Sequence, residues 1–252
     1  MATTLGYDGI LNFRDYGGYS VTGGRLVTGR LFRSGHHHQA SEGDLEAFAG
    51  HGVATIIDLR GDSEREMHPC RRHASFAAEV VFEPGETVEH VGPSISPIDR
   101  PALDARMQMI YRILPFLPAL AGTYRLYLQA LADRPGGSMI HCFAGKDRTG
   151  IGVALLHHLV GVHRDDIVED YLRSNDPVLL DRRIEIEADW LYENYGALSD
   201  SALRAFFGVD ASYLEAAFDE MTTRHGSVDG YAEAVLGITP ARREALRAAL
   251  VV

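Results

Sequence analysis

Lysine is almost missing from this chain: of 24 basic residues, 23 are arginine and one, Lys146, is lysine. Cysteine is nearly as scarce. Cys70 and Cys142 are too few for a disulfide framework, and their spacing matches no zinc motif, so a reducing compartment is the expectation. Positive charge is short overall. A formal net charge of -11 excludes a broad nucleic-acid or anionic-membrane surface, because such surfaces rely on clustered Lys and Arg. Any anionic ligand must therefore meet a local positive site. No apolar run reaches the roughly 18 to 20 residues of a membrane span, and no charged-then-apolar leader opens the chain. These absences predict a soluble, cytoplasmic protein, with export lacking a cleaved signal left open. Tandem repeats and low-complexity linkers are absent as well. With 252 residues and 46% hydrophobic content, the expectation is a single domain over 1–252, its α/β core reaching about residue 175 and a helical extension following from about 176.

What is present alternates. Short β-branched runs bounded by Gly or Pro predict strands within Gly24 to Ser34, Val53 to Arg60, Ala78 to Pro84 and Gly137 to Cys142. Between them, a helix opens at the Ser41 N-cap, and a longer helical pattern runs from about Asp104 to Leu131, interrupted by Pro115 and Pro118. Such alternation predicts an α/β sheet. Beyond Thr149 only helices are expected, with starts at Arg164, Pro177, Ser199, Asp210, Ser227 and Thr239. Glu83 to Arg100 is rich in Pro and Gly and reads as a surface loop.

One segment concentrates the chemistry: "MIHCFAGKDRTGIGVALL", Met139 to Leu156. A buried strand would deliver Cys142 to its C-terminal edge, and the helix leaving the site would begin near Thr149. Unpaired backbone N–H groups and the helix dipole then converge on the loop between, an anion cradle before any side chain is counted. Gly145 would let backbone approach closely, and Gly150 would allow tight packing at the helix start. The same field favours the thiolate, the nucleophilic form of Cys142. The planar fork of Arg148 can hold two phosphoryl oxygens at once. Together with Lys146 they suit attack on a phosphoester and a phosphocysteine intermediate later hydrolysed by water. Two other motifs fail on the letters. A nucleotide-binding P-loop is broken at Ile140 and Asp147, and "GIGVAL" stops short of a dinucleotide fingerprint.

"HCFAGKDRTG" resembles the signature of cysteine-dependent protein tyrosine phosphatases, and more narrowly an atypical bacterial branch with additional phosphoserine/phosphothreonine and phosphoinositide activity. "NFRDYGGY", "GRLFRSG", "IIDLRGDSERE" and "IVEDYLRSN" are similar to other segments of that branch, in the same order, so the resemblance covers nearly the whole chain. It implies a phosphatase-like fold: a central, mostly parallel sheet flanked by helices, and a helical C-terminal half placed to serve as a lid. It implies Cys142 as nucleophile, Arg148 as phosphate clamp, and a cradle of backbone amides from Phe143, Ala144, Gly145, Lys146, Asp147 and Arg148. His141 would orient the loop and Thr149 would offer its hydroxyl to the sulfur. Lys146 would be a second cation for substrates with more than one phosphate. Arg14, in "NFRDYGGY", is a candidate substrate-facing or supporting cation.

The general acid is not settled by the letters. The usual Trp-Pro-Asp tripeptide is missing, and the only tryptophan, Trp190, lies well after the cysteine. The branch points to Asp147 inside the loop; Asp58 and Asp99 are the other candidates. No cofactor and no metal is expected, since the adjacent His36, His37 and His38 rarely converge on one ion. A redox guard would pair Cys70 with Cys142, but a plain thiol is the simpler reading. Expected partners are phosphorylated proteins or phosphoinositides and phosphate-like anions, not nucleic acid. Two other function classes stay open: a non-catalytic phosphate-binding pseudo-phosphatase, and a sulfur-transfer or arsenate-reducing enzyme built on the same loop.

Overall fold

The computed structural model describes residues 6–88, 99–195 and 198–252; most of the Pro-rich part of the 83–100 loop lies outside the described residues, as does the Trp190 side chain. Five strands form the main sheet in the order β1 (Arg14–Asp15), β4 (Leu31–Ser34), β7 (Gly137–His141), β5 (Val53–Asp58), β6 (Glu79–Val81). All its pairings are parallel except β1 with β4. The strand leading to Cys142 is therefore central. The single run expected over Gly24 to Ser34 divides: β3 (Gly24–Arg25) pairs with β2 (Ser20–Val21) in a separate ribbon, and β4 begins only after a turn in which Gly29 takes a φ of 73°.

Alternation along the strands assigns the two faces. Ile140 and Ile57 point into the larger core with α4 (Pro118–Asp133) and α5 (Asp147–Val160), while Met139 and Ile56 join Phe13, Phe32 and Phe48 on the other face beneath α1 (Glu42–Ala49). All seven of these residues are under 8% exposed. The expected Asp104 to Leu131 helix is two: α3 (Arg100–Ile113) and α4, with a single 3-10 turn over Leu114–Phe116. Pro115 and Pro118 force the break, since each removes a backbone donor. Asp99, a candidate acid, is the N-cap of α3; its side chain accepts the Ala102 N–H at 2.8 Å.

Among the described residues the helices expected after the loop are α6 (Arg164–Leu172), α7 (Pro177–Tyr195), α8 (Asp200–Phe207), α9 (Ala211–His225), α10 (Val228–Ala234) and α11 (Pro240–Leu250), with a lone β-bridge of Val251 to Leu26 at the end. Ser199, Asp210, Ser227 and Thr239 all cap their helices through side-chain oxygens. The α7–α8 pair holds its own small core of Leu180, Ala188, Leu191, Leu203 and Phe207. Among the described residues no helix is long and apolar enough to cross a membrane.

Candidate active site

Cys142 leaves the end of β7 and is 1% exposed. After it the chain turns through Phe143 to Lys146 and enters α5 at Asp147. Gly150 N–H is the first to find a helical acceptor, donating to the Lys146 carbonyl at 2.8 Å; among the described residues the N–H groups of Phe143 to Arg148 meet none. Orphan donors at a helix start, with a thiol beside them, form an anion site. Gly145 is required here for two reasons. Its φ is +70°, and a Cβ would stand 2.4 Å from the Ser34 and Gly35 backbone. The close approach predicted for it is to the protein's own chain rather than to a ligand.

Behind the loop lies a buried polar knot. The Gly145 carbonyl accepts from Asn12 Nδ2 at 2.7 Å and from Arg33 Nη2 at 3.0 Å. Arg33 Nη1 in turn donates to Asp170 Oδ2 at 2.8 Å, and Arg14 Nη2 to the Asp170 carbonyl at 2.8 Å. Arg14 is 2% exposed and also donates to Asn12 Oδ1. The substrate-facing reading of Arg14 is therefore corrected: its guanidinium braces the loop from inside the protein. Burial pushes the Asp170 carboxyl up, but Arg14 and Arg33 hold it down at about 2.

Arg148 is the one loop side chain fixed as a clamp. Its Nη1 and Nη2 grip the two oxygens of Glu64, with Nη2 to Oε1 at 2.8 Å, and Nη1 also reaches Thr87 Oγ1 at 2.8 Å. Glu64 belongs to α2 (Asp62–Met67), whose capping box it closes by accepting the Gly61 N–H at 3.0 Å. Burial works against charge on Arg148, yet the Glu64 hydrogen bond keeps its pKa above the ordinary arginine range. Because a fork misplaced by about 1 Å costs on the order of 100-fold in rate, Glu64→Gln should lower kcat by about that factor with a smaller change in KM. Steady-state kinetics on the two proteins measures it.

Asp58 is committed elsewhere. Arg60 donates Nε to Oδ1 at 2.9 Å and Nη2 to Oδ2 at 2.6 Å, and His141 Nε2 lies 3.7 Å from Oδ2. Burial raises the Asp58 pKa, but His141 and Arg60 outweigh it and hold the group well below the usual carboxylate range. A carboxylate held ionised has no proton to give, so Asp58 orients the strand end and does not touch Arg148. His141 is fully buried, contacts the Cys142 carbonyl through Nδ1 at 3.2 Å and stacks on His37 with centroids 5.7 Å apart. Burial, more than Asp58 compensates, lowers its pKa to about 4.

Asp147 keeps a more open place, with its side chain 22% exposed and Oδ1 accepting from Tyr111 Oη at 2.7 Å. Lys146 is corrected more sharply. Its ammonium, 8% exposed, donates to the Phe206 carbonyl at 2.7 Å and the Gly208 carbonyl at 2.9 Å, at the negative end of α8. Arg183 adds the Phe207 carbonyl at 3.1 Å. The chain's one lysine ties the cysteine loop to the α7–α8 pair. Thr149 Oγ1 is buried without a hydrogen-bond partner among the described residues, so the predicted contact with the sulfur is not made in this arrangement. Both cysteines are free; Cys70 Sγ accepts the His37 N–H at 3.3 Å. Among the described residues no His, Cys, Asp and Glu cluster could hold a metal, His36 to His38 included.

The letters did not disclose Glu64, Thr87, Arg33, Asp170 or Tyr111 as parts of this site. A signal existed for Asp170: it shares a helix face with Ile167 and Tyr171, all three buried, and a carboxylate on an apolar face demands a partner.

A thiol at the end of the central strand, a ring of free amides and a fixed arginine fork define a phosphate-handling hydrolase. The chain belongs to the tyrosine phosphatase family, whose family model matches residues 5–252. It is 32% identical over 246 residues to a Cupriavidus necator protein that carries a provisional tyrosine-protein phosphatase name, covering 94% of this chain and 86% of that one. It is also similar to the triple specificity protein phosphatase PtpB of Mycobacterium tuberculosis, at 30% identity over 260 residues, covering 88% and 90% of the two chains. The protein is accordingly a protein-tyrosine phosphatase, with a mostly parallel sheet flanked by helices.

Proposed function

We propose that this phosphatase works through a phosphocysteine intermediate, with phosphotyrosine in proteins as its first substrate. The observation that carries the mechanism is the ring of unpartnered N–H groups beside Cys142 and the Glu64-held fork of Arg148. The thiolate attacks phosphorus as the ester P–O bond breaks, and Asp147 gives its proton to the leaving oxygen. Water then attacks the phosphocysteine, Asp147 takes one of its protons, and inorganic phosphate leaves with the thiolate restored. Arg148 and the amides carry the charge on the equatorial oxygens throughout. Asp147→Asn is expected to lower kcat on phosphoserine peptides by about 100-fold or more and to remove the alkaline limb of the pH-rate profile. An unchanged profile would assign the proton to another group.

The aryl preference rests on Phe143. Its ring is half-exposed, with His36 at 4.5 Å and His68 at 5.1 Å between centroids. Burial, helped by neighbouring cationic groups, lowers His36 to about 3 and moves His68 down as well, so both imidazoles are neutral at pH 7 and form an aromatic shelf. Phe143→Ala should lower the phosphotyrosine-to-phosphoserine ratio of kcat/KM by about 3- to 10-fold, the worth of one aromatic pair. Paired peptides of one sequence read that ratio directly.

Phosphoserine, phosphothreonine and phosphoinositides rank behind. The "triple specificity" in the name of the mycobacterial relative favours them, but Lys146 would have to leave the Phe206 and Gly208 carbonyls to reach a second phosphate. Residues 1–252 act as one unit in this reading, and two free thiols suit the cytoplasm.

A further inference from the structure

A cavity of about 340 Å³ lies away from the cysteine loop. It opens between α1, the start of β5 and the segment 71–78, and no residue from His141 to Thr149 lines it. Leu45, Phe48, Val53, Ala54, Phe76 and Ala78 make its walls apolar. The volume falls within the range of small-ligand sites.

Arg72 stands in this cavity with an unusual set of partners. Its guanidinium lies over the Phe76 ring, 4.9 Å from the centroid. Nη1 meets His37 Nδ1 at 3.3 Å and the Arg71 carbonyl at 3.4 Å, and the side chain also reaches Cys70. Among the described residues no carboxylate forms an ion pair with it, although Asp58 acts on it through space. Its neighbour Arg71 is by contrast satisfied, by Glu42 and the Ala40 carbonyl. The chain has 35 acidic residues against 24 basic ones, so a half-buried arginine without a carboxylate is not for want of carboxylates. Such a charge costs stability until an anion meets it.

We propose that this cavity is a binding site for a single-chain amphiphile with one negative charge, a medium-chain fatty carboxylate. The alkyl chain lies along the Leu45, Phe48 and Phe76 wall, and the carboxylate takes the guanidinium fork of Arg72. A monovalent head matches the one arginine left over. Arg71, the other arginine at the cavity, is occupied by Glu42 and the Ala40 carbonyl. The site is separate from the phosphate loop and its ligand is not the enzyme's substrate.

Isothermal titration with dodecanoate below its micellar concentration tests this, with the cysteine loop filled by orthovanadate and dodecanol as the uncharged control. The expected result is one site per chain whose affinity ignores vanadate and exceeds that for dodecanol. Arg72→Gln should weaken it about tenfold or more, Arg72→Lys should recover part of the loss, and Ala78→Phe, which fills the cavity, should abolish it. Absence of binding to the native protein, equal binding of dodecanol, competition by vanadate, or an affinity untouched in Arg72→Gln would each overturn the proposal. The same titration without orthovanadate supplies the comparison, and none of these outcomes depends on turnover.

Discussion

Cys142→Ser is expected to release phosphate at least about 10⁴ times more slowly than the native enzyme, while binding a phosphotyrosine peptide with an affinity within a few-fold of the starting value. The two halves of that result come from different atoms. On the proposed mechanism turnover needs the sulfur, and a serine hydroxyl at this place has no adjacent base: His141 faces the Cys142 carbonyl and Asp58 is taken by Arg60. On the same proposal binding rests on the amides of Phe143 to Arg148 and the Arg148 fork, which do not depend on the sulfur. Phosphate-release kinetics and calorimetry on the same preparation separate them. A variant that lost binding in proportion to rate would mean that the thiol holds the loop in shape rather than attacking.

Asp170→Asn is expected to destabilise the protein by about 3–5 kcal/mol, lowering Tm by about 10 °C. Arg14 and Arg33 are 2% and 0% exposed and share this one carboxylate, so neutralising it leaves two buried like charges opposed. Burial already lowers Arg14 to about 9, with Arg33 adding to the effect, which is the strain the carboxylate offsets. Activity should fall further than the folded fraction, because Arg33 and Asn12 hold the Gly145 carbonyl that shapes the loop. The pH dependence has a definite sign. The folded carboxyl, at about 2, lies below its ordinary value, so its stabilisation is complete above the usual carboxylate range and fades as pH falls towards 2. Thermal melts between pH 5 and pH 2 should show the native protein converging on the variant.

The catalytic loop was legible because it is local. Strand, cysteine, glycine, arginine and exit helix lie within 18 residues, and each residue type has a physical reason to stand where it does. Helix starts in the C-terminal half were legible for the same reason, since a Ser, Thr or Asp N-cap acts on backbone two or three residues away. Side chains that act across the sheet were not. Nothing near Glu64 in the chain says that it will meet Arg148, 84 residues on, and nothing near Lys146 says that its ammonium will turn away from the cradle to cap α8. The quoted segments around Asn12, Arg33 and Asp170 did carry the right residues. What they withheld was that all three converge behind one carbonyl, a fact of packing rather than of pattern. Of the two readings of Arg14, substrate-facing or supporting, the supporting one fits: an arginine beside a Gly-Gly turn looks exposed until the helix bearing Asp170 closes over it.

The covalent intermediate is the point on which the account turns. Native enzyme mixed with a phosphotyrosine peptide, quenched in acid within the first turnovers and digested, should yield the peptide containing Cys142 with one phosphoryl group on sulfur. The same label should be missing from Cys142→Ser and should accumulate in Asp147→Asn treated with an aryl phosphate. A native enzyme that turns over at full rate with no label on Cys142, or with label on any other residue, would contradict the account.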